Sequence, residues 1–216
     1  SARNKLCLTG IRIGDRNSTY DIEYGGRPYG TQLEWIRDIL NGVELVVGFN
    51  LKHDLNWLVR YGVRLPHHVR VFDCQLAEFI LSHQQSTFPS LDGCCAKYGL
   101  AGKSNVVADE YWSKGIDTTE VPLEILQPYL ENDLEITDAL YTRLNPMVRG
   151  AGLSSLVNLH MQDLRVLQEM EFNGIQLNWA AMEQAANKTA EELNDINSQI
   201  LTFVPEEARQ LFNTGS

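Results

Sequence analysis

Four side chains in two stretches have the types and spacing to handle a metal ion and a water. In Val47-Gly48-Phe49-Asn50-Leu51-Lys52-His53-Asp54, Asn50 stands where an apolar run gives way to a helical pattern, and Asp54 follows one turn later. A carboxylate at that place, beside the carboxyl end of a buried strand, is well set to ligate a cation. In Pro128-Tyr129-Leu130-Glu131-Asn132-Asp133, Tyr129 and Asp133 share one face of a helix. A phenol one turn before a carboxylate can position or deprotonate a water that the carboxylate's metal holds. Each stretch also has a plain structural reading. Asn50 can be an ordinary N-cap with Asp54 on a solvated face, and Tyr129 with Asp133 can be a surface pair on an amphipathic helix.

The elements that must position these groups follow from periodicity and punctuation. Lys5 to Ile13 and Thr19 to Tyr24 read as strands around a turn at Gly14-Asp15-Arg16-Asn17, the second ended by Gly25-Gly26. A helix is expected over Thr31 to Leu40 with Thr31 as its N-cap, then a strand over Val43 to Val47, then the helix bearing Asp54. Val69 to Phe72 reads as a strand, Asp73 as the cap of a helix over Cys74 to Leu81, and Ser90 as the cap of a helix ending at Tyr98-Gly99. Residues 100–119 carry few apolar anchors and read as an exposed loop or a short helical excursion. Pro128 is expected to start or bend a helix that ends near Pro146, and Gly150-Ala151-Gly152 reads as a boundary. Beyond it come long helices over Leu156 to Phe172 and Met182 to Leu201. This order predicts an α/β protein with a mixed sheet flanked by helices.

Bulk properties narrow the field. The 216 residues carry 18 Lys plus Arg against 28 Asp plus Glu, a net charge of −10, which argues against wrapping a phosphate backbone nonspecifically. Divalent cations held by carboxylates would reverse that charge locally. Cys7, Cys74, Cys94 and Cys95 form no CxxC pair and read as reduced, buried thiols, not a zinc site. No apolar run reaches the roughly 18 residues of a membrane span. An intracellular protein is expected, in cytoplasm or nucleoid, or in a host cell if phage-encoded. The chain starts without Met on a strand-like run, as expected of a piece of a longer protein.

Asn50-x-x-x-Asp54 followed by Tyr129-x-x-x-Asp133 resembles the second and third motifs of the DEDDy 3′–5′ exonucleases. Phe72-Asp73-Cys74-Gln75-Leu76-Ala77 and Ser90-Leu91-Asp92 between them resemble that family's Asp-Thr-x-Leu-Ala and Ser-Leu-x-x-Leu stretches. Gln162 to Leu177 (QDLRVLQEMEFNGIQL) is similar to the segment that opens the polymerase region of family A DNA polymerases. Phe212-Asn213-Thr214-Gly215-Ser216 resembles the start of their Phe-Asn-x-x-Ser-Pro element. The resemblance implies a ribonuclease-H-like proofreading domain over 1–149 and the helical start of a polymerase domain over 150–216. It further implies two Mg²⁺ (or Mn²⁺) ions, with Asp133 on the first and Asp54 on the second. Tyr129 would orient the attacking water. Asn50, Lys52 and Leu58 would meet the 3′ end of single-stranded DNA, and the rest of the polymerase chain would be the other partner.

One departure matters. The family's first motif is Asp-x-Glu on the first strand, and Asp21-Ile22-Glu23 offers itself. Only one helix and one strand fit between it and Asp54, whereas the family has two further strands after its first motif. Asp21-Ile22-Glu23 is therefore read as a decoy, with the true motif expected before Ser1, the ions poorly bound and nuclease activity weak. A free-standing RNase D-like nuclease and a degenerate exonuclease-like scaffold or DNA-binding domain are the alternatives.

Overall fold

The computed structural model describes residues 5–24, 30–84, 88–209 and 212. The chain divides into two compact units, Ser1–Phe172 and Asn173–Ser216.

In the first unit, β1 (Leu8–Ile13) and β2 (Arg16–Asp21) form an antiparallel hairpin from Leu8↔Asp21 to Ile13↔Arg16. Two further hydrogen bonds, Ile22 N to Cys7 O and Glu23 N to Leu6 O, carry the pairing beyond the regular ladder. α1 (Gly30–Gly42) starts a residue before Thr31, so Thr31 lies inside the helix and does not cap it. β3 (Leu45–Gly48) and β4 (Arg70–Asp73) pair in parallel, joined by α2 (Leu51–Arg60). Among the described residues the two pairs form separate two-stranded sheets. The expected α/β class is what the structure has. Both pairing directions are present, but the expected single mixed sheet is divided in two.

α3 (Cys74–Leu81) begins on Asp73 and α4 (Leu91–Tyr98) on Ser90, each side chain accepting from a backbone N–H of the first turn. Gly99, at φ 64°, closes α4 in a conformation that a side chain would disfavour. Residues 100–119 contain α5 (Val106–Glu110) and two single 3₁₀ turns. The sequence underrated this segment. Val107 is fully buried with Val121, Leu126 and Tyr129 in a small core of its own.

α6 (Leu123–Gly150) runs unbroken through Pro128 and Pro146. The expected start at Pro128 and end near Pro146 are thus corrected. A proline removes one bond to the carbonyl four residues back. Here those carbonyls belong to Glu124 and Thr142, both on the exposed side where water can serve them. The opposite side buries Leu126, Tyr129, Ile136, Leu140, Leu144 and Val148, and this stripe holds the helix together.

α6 touches β1, β2 and β3, so both small sheets lean on it. At Gly10 the approach is close, since a Cβ there would fall 2.8 Å from Leu134 Cδ1 and 2.9 Å from Leu130 Cγ. Gly10→Val is expected to destabilise by about 1–3 kcal/mol, read by urea denaturation, because two packed leucines on α6 must shift. The main core joins β4, α2, α3 and α6 to α7 (Ser154–Asn173) through Val157, Met161 and Leu164. Compactness therefore carries the first unit past the Gly150–Gly152 turn to Phe172. All four cysteines are buried free thiols, as their spacing implied, and burial pushes Cys7 and Cys94 up to about 11.

The second unit holds α8 (Trp179–Thr202), capped by the Asn178 side chain on Ala181 N–H, and a 3₁₀ turn at Glu206–Ala208. The Phe-Asn-x-x-Ser-Pro resemblance rests on residues 212–216, of which 213–216 lie outside the described residues. No helix among the described residues is long and apolar enough to cross a membrane.

Candidate functional site

Tyr129 and Asp133 stand on one face of α6, as their spacing demands. Tyr129 is buried, with Trp112 edge-on at 5.9 Å between ring centroids. Asp133 is half-buried and its two oxygens differ. Oδ2 lies 3.4 Å from Lys103 Nζ, while Oδ1 is buried with no hydrogen-bond partner. Lys103 also lies 5.1 Å from the centroid of the Tyr129 ring. Burial pushes the Asp133 carboxyl up, Lys103 pulls it back, and Asp92 adds a smaller upward push. Burial likewise raises the Tyr129 phenol against the pull of Lys103. For Lys103, burial lowers the ammonium's pKa, but Tyr129 and Asp133 together leave it raised.

The second group forms where β3 turns into α2. Asn50 is left-handed (φ 57°, ψ 44°) and its side chain makes no capping bond, so the plain N-cap reading is overturned. The start of α2 is capped from elsewhere. Asp73, at the end of β4, accepts from Leu51 N–H at 2.7 Å and from Leu76 N–H at 3.1 Å, serving α2 and α3 at once. Asp54 sits in the first turn of α2 with its surface open on one side, although protein crowds it on most others. That crowding, and next the Asp73 carboxylate, push its pKa up to about 7.

A carboxyl raised in the fold stabilises it only while protonated. The contribution is full below the ordinary value of 3.8 and is lost as pH rises through about 7. Asp54→Asn is therefore expected to raise the melting temperature at about pH 8 and to leave it unchanged at about pH 4. Solvent on the open side keeps the gain under about 1 kcal/mol. Thermal scans at the two pH values check this.

The remaining candidates are engaged locally. Lys52 Nζ pairs with Glu171 Oε1 at 2.6 Å, so a phosphate would have to displace Glu171. Leu58 packs against the core formed by Ile22, Leu33, Ile36, Leu40 and Val63. His53 Nε2 accepts from Trp57 Nε1 at 3.1 Å, and Arg60 lies over the Trp57 ring at 5.1 Å. In the Asp21-Ile22-Glu23 stretch, Asp21 Oδ1 accepts from Tyr24 N–H. Glu23 accepts from the Tyr61 hydroxyl and pairs with Lys5.

The structure thus brings Tyr129 and Asp133 together with Lys103, and Asp54 together with Asp73. The charged neighbours acting on Asp54 and on Asp133 are different groups. The unpartnered Oδ1 suits a metal ligand, since a buried anionic oxygen left without donors is costly. Yet among the described residues no group of three or more His, Cys, Asp or Glu is arranged to hold a metal ion. Asp133 fits such an ion, but a complete ligand set is not present among those residues. The sequence missed Lys103 and the double cap on Asp73. For Lys103 it offered no signal, whereas the apolar Val106-Val107 beside it could have marked the segment as packed.

No family model matches the chain. Over 212 residues it is 24% identical to DNA polymerase I of Aquifex aeolicus, covering 89% of this chain and 34% of that protein. Over 172 residues it is 27% identical to DNA polymerase I of Treponema pallidum, covering 79% of this chain and 16% of that protein. Most of the chain is thus similar to a part of these DNA polymerases I. It spans about a third or less of the length of these relatives.

Proposed function

We propose that the chain carries the proofreading 3′–5′ exonuclease region of a family A DNA polymerase. The fold would be ribonuclease-H-like, with residues from about 150 onward opening the polymerase region. The observation that carries the reading is Asp133: half-buried, one oxygen unpartnered, one turn after Tyr129, in a chain similar to DNA polymerase I. The substrate is the 3′ end of single-stranded DNA.

Divalent ions, Mg²⁺ or Mn²⁺, held with the help of Asp133 and Asp54 would supply the charge that activates a water and offsets the scissile phosphate. Asp133 would hold one ion through Oδ1 and Asp54 would reach the other. The Tyr129 phenol would accept or donate a hydrogen bond to the attacking water and so fix its approach. Asn50, whose side chain is not spent on capping, is available to the DNA strand. Lys52 on the same helix would join that contact by exchanging Glu171 for a phosphate, and Leu58, packed against the core, would support the helix from behind.

The test is a 5′-labelled single-stranded DNA incubated with the chain and Mn²⁺. Stepwise shortening from the 3′ end, abolished by EDTA, is expected, at a weak rate because the ligand set is incomplete. Internal cuts, or a strong preference for RNA over DNA, would count against the reading. The lack of a three-ligand cluster among the described residues favours a second reading, a degenerate exonuclease-like domain that binds DNA without cutting it. Single-stranded DNA binding with no Mn²⁺-dependent digestion would select that one.

A further inference from the structure

α2 buries Leu51, Leu55 and Val59 and leaves its other side open. With about 3.6 residues per turn, the order around that side is Asp54, Trp57, His53 with Arg60, Asn56 and then Lys52. Trp57 is held in place, its Nε1 donating to His53 Nε2 at 3.1 Å, and the Arg60 guanidinium lies over its ring. Just beyond α2, Arg64 lies 5.5 Å from the ring centroid of Phe172, which is 39% exposed at the end of α7. Glu171 and Glu169 of α7 hold Lys52 at 2.6 Å and Arg64 at 3.0 Å. Arg60 has no carboxylate partner among the described residues. In a chain of net charge −10, three cations and two aromatic rings thus gather along the junction of α2 with α7.

Cations interleaved with aromatic rings suit a single strand of nucleic acid, whose phosphates take the charges while unpaired bases stack on the rings. A duplex hides its base faces, and an acidic peptide would use the cations but not the rings. We propose that Trp57 and Arg60 form a platform for single-stranded DNA, with one base on the Trp57 ring and phosphates at Arg60 and Lys52. The strand crosses α2 from the Asp54 side toward α7. Arg60, exposed at the end of α2, leaves the ring for a phosphate as the base takes its place, and Lys52 gives up Glu171. The platform deepens the exonuclease reading and rests on it only for which end of the strand lies at Asp54. Binding itself needs neither metal nor cutting.

The whole chain is mixed in EDTA with fluorescently labelled oligo(dT), and with the same oligomer carrying abasic residues. Anisotropy is read over a range of salt concentrations. Trp57→Leu should bind oligo(dT) about tenfold more weakly and the abasic oligomer as well as wild type does, since only a stacked base is lost. Arg60→Gln should weaken binding of both oligomers and flatten the plot of log K against log salt by about 0.7. Glu171→Gln should tighten both about threefold by releasing Lys52, a gain that damage to the fold would not give. Thermal unfolding checks each variant. Arg60 and Glu171 are exposed, so their variants test the platform even if Trp57→Leu fails to fold.

A wild-type chain that does not bind oligo(dT) overturns the proposal. So does wild-type affinity in Trp57→Leu, or a loss that is equal on the abasic oligomer. An unchanged salt slope in Arg60→Gln, or no tightening in Glu171→Gln, overturns it too. If the binding series behaves as stated but no protein shortens DNA with Mn²⁺, the exonuclease reading fails and the platform stands. If digestion depends on Asp133 while all three variants bind as wild type does, the exonuclease reading stands and the platform falls.

Discussion

Asp133→Asn is expected to lower metal-dependent 3′-end digestion by a factor on the order of a hundred to a thousand, while leaving the fold intact. The amide keeps the shape of the carboxylate, so α6, Tyr129 and the surrounding packing have no reason to move. It loses the charge, and with it a buried anionic oxygen that has no partner and that a cation could bind. Stability should hold or rise slightly, because burial already disfavours the charged carboxylate. Turnover on single-stranded DNA and a thermal scan of the same sample separate the two effects. Unchanged turnover would sink the exonuclease reading. A collapse of the melting temperature would mean that Asp133 belongs to the fold instead.

Asp73→Ala is expected to destabilise the chain by about 3 kcal/mol. Two helix starts depend on this one buried side chain, through Leu51 N–H at 2.7 Å and Leu76 N–H at 3.1 Å. A lost cap costs about 1 kcal/mol, and a buried donor left without water or partner costs as much again. For a chain of this length that lowers the melting temperature by roughly 6–12 °C. Asp73→Asn keeps an accepting oxygen and removes a carboxylate that burial disfavours, so it should cost far less. Equal losses from the two substitutions, measured by urea denaturation, would show that the charge matters and the hydrogen bonds do not. The loss from Asp73→Ala should also disorder the start of α2, where Asn50 and Asp54 sit.

Features that depend on neighbours along the chain were legible from the sequence. The Ser90 and Asp73 caps, the stop at Gly99 and the shared face of Tyr129 and Asp133 are set within a turn or two of backbone. So were the hairpin and the β–α–β order that brings β3 beside β4, because alternation and punctuation are local properties. Pro128 and Pro146 misled for the opposite reason. Local chemistry says that a proline breaks a helix, and only the buried stripe from Leu126 to Val148, with the two lost bonds turned to solvent, keeps α6 whole.

What the tertiary structure alone decided is the company each carboxylate keeps. Asp54 answers to Asp73, Asp133 to Lys103, and the cap of α2 comes from the end of β4 in place of Asn50. These pairings join residues about 20 to 30 positions apart in the chain. No periodicity encodes them, because they follow from how α5 packs on α6 and from the parallel register of β3 on β4. The residue types and their spacing within each helix were the sequence's to determine. Which oxygen of Asp133 is occupied and which is left for a cation was decided only when the chain folded Lys103 against it.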